Sequence, residues 1–330
     1  MKTRLHFIDI ARALAMLSIV LVHSVAYSTH CYEIYRFIFA FCVPLFFILS
    51  GYTFRVKNNE SFWQFLKHKF FRIMLPYFIW AILFLIPYFL FSNDPLPSDF
   101  GLLGILYGNG VGDALKQNTP LWFLPALFTT EILYYFVVKY LHRPKTKSII
   151  LIASLLTGFV AASLLEGIYL PWGINSALQI GVFFYIGFII KDQEFDLLSL
   201  IILTIIGILA YCFNSYDNVI WAEYIYNNYF LTFVSGTAFS IMALELAKLI
   251  KKNKVLEYVG KNTMSILIFH KIIIYFCQFK LGIISEWLQN SSLFVELVLA
   301  IVISILAILF SLFADWLFDK IHLKALLGKS

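Results

Sequence analysis

Long apolar runs, broken by short polar and basic clusters, organise this chain from end to end. A helix that crosses a bilayer needs about 20 mostly apolar residues. Segments that meet or approach that length run over 6–27, 34–54, 73–92, 121–140, 148–165, 174–190, 196–214, 228–248, 263–280 and 293–316. They lack the alternation of a membrane barrel. The pattern therefore predicts an all-α polytopic membrane protein of about ten spans, folded as a single domain over residues 1–330. The sixth segment is short and carries Asn175 and Gln179 inside it. Residues 60–71 read differently: Phe62, Trp63, Phe65, Leu66, Phe70 and Phe71 interleave with basic residues. That spacing predicts an amphipathic helix on the cytoplasmic leaflet, leading into the third span. The longest external loop, 92–120, contains an apolar patch from Phe100 to Tyr107 that suits a partly buried or re-entrant piece.

The basic clusters set a direction. Arg55, Lys57, Lys67, Lys69 and Arg72 follow the second segment, and Lys139, Arg143, Lys145 and Lys147 follow the fourth. Lys248, Lys251, Lys252, Lys254 and Lys261 follow the eighth, while Lys2 and Arg4 precede the first. All fall on one side of a ten-span topology. Positive loops mark the cytoplasm, so both termini are expected to be cytoplasmic.

Composition agrees. Hydrophobic residues make up 61% of the chain and charged ones 13%, against roughly 25% charged in a soluble domain. Mean hydropathy is +0.83. The net charge of +6 does not point to nucleic acid, because the cations sit in short interhelical clusters. Cys31, Cys42, Cys212 and Cys277 lack metal-ligand spacing, so neither a metal site nor a disulfide is expected. The first apolar run is too long for a signal-peptide core and contains an arginine, so a cleaved leader is not expected either.

Ionisable groups inside spans are costly and need partners or a wet cavity. The first segment holds Asp9, Arg12 and His23; the fourth holds Glu131; the ninth holds His270 and Lys271. Arg12 and His23 are 11 residues apart, three helical turns plus roughly 20°, so they share a face with a rise of about 16 Å between them. Arg12 lies near the inner surface and His23 deep, an anion anchor below a general base. Asp9 is one turn from Arg12 and can pair with it. Glu131, near mid-membrane, could orient His23 or pair with Lys271. His270 and Lys271 face different ways, so at most one is expected to line the same cavity. Ser24, Tyr27 and His30 lie outward of His23, where they could meet a second substrate. Trp122, Trp172 and Trp221 sit at outer helix ends, as belt anchors rather than sugar-stacking platforms.

The N-terminal quarter resembles acyltransferase family 3, the multi-pass membrane O-acyltransferases. Phe7-Ile8-Asp9-Ile10-Ala11-Arg12 followed by His23 is similar to that family's arginine, ten residues, histidine signature. Phe46-Phe47-Ile48-Leu49-Ser50-Gly51-Tyr52 resembles its Phe-Phe…Ser-Gly-Tyr ending of the second helix. Lys69-Phe70-Phe71-Arg72 stands where the family usually has Arg-x-x-Arg, which keeps the charge but loses bidentate grip at the first position. Trp122-Phe123 and Gly260-Lys261-Asn262-Thr263-Met264-Ser265 with His270 resemble later family motifs. The resemblance is to the stand-alone members, so no appended hydrolase-like domain is expected.

The resemblance implies transfer of an acyl group, by default acetyl, from a cytoplasmic acyl-CoA to a hydroxyl of an extracytoplasmic or lipid-linked sugar or polysaccharide in the cell envelope. The setting is then a bacterial inner membrane. It makes His23 the catalytic base with support from Glu131, gives Arg12, Ser50, Gly51, Lys69 and Arg72 to the acyl-CoA, and Tyr27, Trp122 and His270 to the acceptor. Ten helices with buried charges also fit an exporter of a glycan or lipid-linked sugar, although no inverted repeat is visible. Oligomeric state is not readable.

Overall fold

The computed structural model describes residues 5–25, 31–57, 59–91, 102–111, 114–214, 219–277 and 292–329. They are helical throughout, apart from loops and an isolated bridge between Ile220 and Ile225. Helix α1 runs over His6–Val25 and α2 over Tyr32–Thr53. Helix α3 (Phe62–Lys69) continues through a π turn at Phe70–Met74 into α4 (Leu75–Leu83) and α5 (Leu85–Phe91). After α6 (Leu103–Tyr107), a 3-10 stretch over Lys116–Trp122 enters α7 (Phe123–Phe136), and α8 covers Lys147–Leu164. Then come α9 (Ile174–Gln179), α10 (Gly181–Ile190), α11 (Leu197–Phe213) and α12 (Tyr229–Leu249). The described chain ends with α13 (Lys254–Lys261), α14 (Thr263–Tyr275), α15 (Leu293–Lys320) and a 3-10 turn at Lys324–Leu327.

Seven helical runs are long and apolar enough to cross a membrane, and a bent pair raises that to eight. Two further expected segments form shorter apolar helices, α11 and α14. The expectation of ten full spans thus resolves into fewer that meet the length of a bilayer. The sixth segment is the bent pair: Pro171–Gln179 and Gly181–Ile190 meet at 57°. Its polar residues explain how a break survives in an apolar setting. Asn175 accepts from the Leu170 amide at 2.8 Å and donates to the Ile168 carbonyl at 2.7 Å, while Gln179 accepts from the Tyr226 hydroxyl at 2.7 Å. Broken backbone at membrane depth persists only where such partners replace the lost helical bonds.

The amphipathic piece forms as expected but is not a separate element. Ser61 caps α3 with a reciprocal Gln64 bond, a sequence-readable start. Trp63 is 73% exposed and Phe65 is buried. The helix then runs on into the third span, giving one 29-residue run from Phe62 to Leu90.

The layers follow residue size and polarity. Helix α10 buries all its residues but Ile189, whereas α8 buries only Gly158 and Ala161, and α11 only Gly207 and Ala210. The outer helices show Ile152, Leu156, Leu198, Ile201, Ile205 and Leu209 outward. Such a surface is stable against lipid and not against water, so the chain is an integral membrane protein. At the centre α2 and α10 pack backbone to backbone. A Cβ on Gly51 would lie 1.8 Å from the Phe184 carbonyl oxygen, and one on Gly187 would lie 1.9 Å from that of Ile48. Gly51 is therefore a helix-packing residue inside α2. The close approach explains the glycine without a ligand. Gly51→Ala is expected to destabilise the detergent-solubilised protein by about 1–3 kcal/mol through overpacking, read as a lower unfolding midpoint; an unchanged midpoint would refute this packing role.

Candidate active site

Helix α1 carries the site because it is unbroken through both polar residues and lies among α2, α12, α13, α14 and α15. At its N-terminal end, Asp9 is buried and lies 3.9 Å from Arg12, which also donates to the Thr53 hydroxyl at the C-terminal end of α2 (3.2 Å). Helix α13 closes on the same end: a Cβ on Gly260 would meet the Asp9 carbonyl oxygen at 1.8 Å. Glu257, one turn earlier, takes His6 at 3.0 Å and Lys261 at 3.6 Å. The hydrogen bond from His6, helped by the Lys261 charge, holds its carboxyl below the usual carboxylate range.

A cavity of about 550 Å³ runs along α1 from this end to His23. Its N-terminal end is lined by Arg12, Ser50, Arg72, Lys261 and Lys329; Met16, Phe46, Phe123 and Leu267 form an apolar middle. The far end is built from His23, Lys271, Tyr35, Thr119, Trp122 and Glu223. One channel thus joins a cationic mouth to a half-buried imidazole. The mouth has a floor from the chain's last described residues. Trp80 donates to the Leu326 carbonyl at 2.8 Å, and Lys329 bonds Asn262 (2.6 Å) and Asp315, the latter also taking Ser265 at 2.6 Å.

Among the described residues His23 makes ring contacts, edge-on to Phe39 at 6.5 Å and tilted against His270 at 5.3 Å. No carboxylate lies within ion-pair distance of it among the described residues. Glu131 is elsewhere. It is held by Lys69 at 2.8 Å and does not line the cavity, so it orients neither His23 nor Lys271. Its Oε2 is buried without a partner. The Lys69 ammonium meets only the other carboxylate oxygen, Oε1. Of the Lys69-x-x-Arg72 motif only Arg72 faces the cavity.

His270 is fully buried, and its Nδ1 bonds the Ile266 carbonyl at 2.7 Å. That contact makes Nδ1 the donor and leaves Nε2, which is buried and unbonded, as a bare acceptor. It stands behind His23 and off the cavity wall; Lys271 takes the wall instead, so one of the two does line it. Ser24 bonds the Val20 carbonyl and Ser304, which leaves it no free role. Tyr27 and His30 lie outside the described residues. Trp122 and Trp221 both line the cavity, and Trp221 spends its Nε1 on the Phe39 carbonyl at 2.6 Å. Trp172 donates to the Leu106 carbonyl at 2.9 Å. Sequence reasoning missed Lys329, Thr119 and Glu223. Nothing local marks them, because each enters through a loop or tail that folds back over the bundle.

A family model described as an acyltransferase domain matches residues 5–316 of the 330-residue chain. The chain belongs to acyltransferase family 3. Neither the curated proteins nor the solved structures contain a match to it. The family match covers every helix that builds the cavity, from α1 to α14, and makes the protein a membrane acyltransferase.

Proposed function

We propose that this acyltransferase moves an acetyl group from acetyl-CoA, or another acyl-CoA, to a hydroxyl of a sugar, polysaccharide or lipid-linked sugar, with His23 as general base. The observation that carries the reading is the single cavity joining the cationic mouth at Arg12 to His23. The donor's phosphates rest at the mouth on Arg12, Arg72, Lys261 and Lys329. Its pantetheine arm follows the apolar middle along α1 and bridges most of the rise of about 16 Å to His23. The acceptor enters at the far end, past Trp122, Thr119 and Glu223. The imidazole takes the hydroxyl proton as the oxygen attacks the thioester carbonyl.

The clustering of basic loops places the mouth and both termini in the cytoplasm. Reading the bent pair, α11 and α14 as spans restores ten crossings and keeps every basic cluster on that side. The membrane is then a bacterial inner membrane, and the products belong to the cell envelope. An exporter would instead move its substrate with no dependence on acyl-CoA.

Acetyl-CoA binding to the detergent-purified protein tests the donor assignment. Wild type is expected to gain thermal stability with acetyl-CoA, as any ligand bound to the native state requires. Arg12→Ala is expected to weaken the apparent Kd roughly 10- to 100-fold, the loss of one charge-assisted contact. Absence of any shift with acetyl-, propionyl- and longer acyl-CoAs would overturn the donor assignment.

A further inference from the structure

Among the cations that line the cavity, Lys271 stands apart. Arg12, Lys261 and Lys329 have carboxylate partners, and Arg72 is exposed at the mouth. Lys271 is 8% exposed, lies on the cavity wall, and among the described residues has no carboxylate within ion-pair distance. Its Nζ sits 5.1 Å above the Tyr275 ring, which is fixed by a hydroxyl bond to the Lys116 carbonyl at 2.8 Å. A cation–π contact contributes about 0.5–2 kcal/mol. Desolvating an ion costs several kcal/mol, so the ring alone does not balance the burial.

Glu223 shares the far end of the cavity but makes no ion pair with Lys271, and the buried carboxylates of the neighbouring helices are committed elsewhere. Asp9 is with Arg12, Glu131 with Lys69, and Asp315 with Ser265 and Lys329. The charge is thus held open toward the cavity. It is also beside the base: His23 packs on His270, the residue before Lys271, and His23 and Lys271 line the same cavity.

We infer that Lys271 is a catalytic residue whose ammonium stabilises the oxyanion of the transfer step; the inference rests on the acyltransferase reading above. In that step the acceptor oxygen bonds to the thioester carbonyl carbon while its proton passes to His23. The carbonyl π pair moves onto oxygen. On collapse that pair re-forms C=O, the C–S bond breaks, and the departing thiolate takes the proton from the imidazolium to leave as free thiol. Charge therefore builds on an oxygen in a pocket that already holds a cation with no carboxylate in ion-pair contact among the described residues. Preorganised charge of this kind is worth far more there than in water. The same ammonium opposes the imidazolium, so the acyl carbonyl lies between the two side chains, carbon toward His23 and oxygen toward Lys271.

The test uses full-length protein in membranes that contain the endogenous acceptor, with radiolabelled acetyl-CoA. Lys271→Met keeps the length and removes the charge; Lys271→Arg keeps the charge. Lys271→Met is expected to lower the maximal rate of label incorporation about 10²- to 10³-fold, the cost of one oxyanion donor, with the Kd for acetyl-CoA and the unfolding midpoint unchanged. Lys271→Arg is expected to recover much of that rate. A Lys271→Met rate within threefold of wild type would overturn the inference. So would a loss that added acceptor restores, which would make Lys271 an acceptor-binding group, or one that follows a lost fold. Wild-type protein that binds acetyl-CoA in neither membranes nor detergent would sink the acyltransferase reading itself, a different failure.

Discussion

Replacing His23 with alanine is expected to lower acyl transfer on the order of a thousandfold, while the protein still inserts, folds and binds acetyl-CoA. The size follows from the worth of a positioned general base, about 10²- to 10⁴-fold. The site offers little substitute. No carboxylate lies within ion-pair distance of His23 among the described residues. His270 stands behind the ring, is fully buried, and has one nitrogen committed to Ile266. Donor affinity is expected to hold because the phosphate-binding cations lie at the opposite end of the cavity. Label incorporation from acetyl-CoA and a parallel binding isotherm separate the two. Normal incorporation by His23→Ala protein would remove the base from the mechanism.

The largest stability effect is expected at Glu131. Glu131→Ala leaves Lys69 with 17% of its side chain exposed and no carboxylate opposite it. Breaking a buried pair from one side costs about 3–5 kcal/mol, because the surviving ion keeps its desolvation penalty. The Phe54 and Phe65 rings near Lys69, at 5.7 and 5.5 Å, offset only part of that. Removing both charges together, Lys69→Met with Glu131→Leu, is expected to recover most of the loss. Unfolding midpoints of the two single variants and the double variant form the cycle that reads this coupling. Additive losses would show that the pair is not what holds α3 against α7.

How far the sequence could see follows from what each feature depends on. Apolar length is local, so each expected segment has a helical counterpart. The common face of Arg12 and His23 depends only on helical period, and both do line one cavity. Span length was less legible. The polar bonds of Asn175 and Gln179 bend the sixth segment, and no hydropathy window registers where a side chain will find its partner. Pairing was not legible at all. Glu131 looked like a mate for His23 or Lys271, but the π turn at Phe70–Met74 joins α3 to α4 with Lys69 opposite Glu131. Gly51 read as a turn or ligand contact because its neighbour Phe184 is 133 residues away in sequence. Lys329 enters the mouth only because the tail folds back onto Trp80 and Asp315.

The central claim is that one cavity takes an acyl donor at the Arg12 end and delivers it to an acceptor beside His23. Membrane vesicles of the two orientations, given radiolabelled acetyl-CoA that cannot cross the bilayer, test it directly. Inside-out vesicles, with the cytoplasmic face outward, are expected to incorporate label into an acceptor on the lumenal side, and His23→Ala vesicles to incorporate none. Equal incorporation by right-side-out vesicles, or label taken up by the His23→Ala protein, would contradict the account.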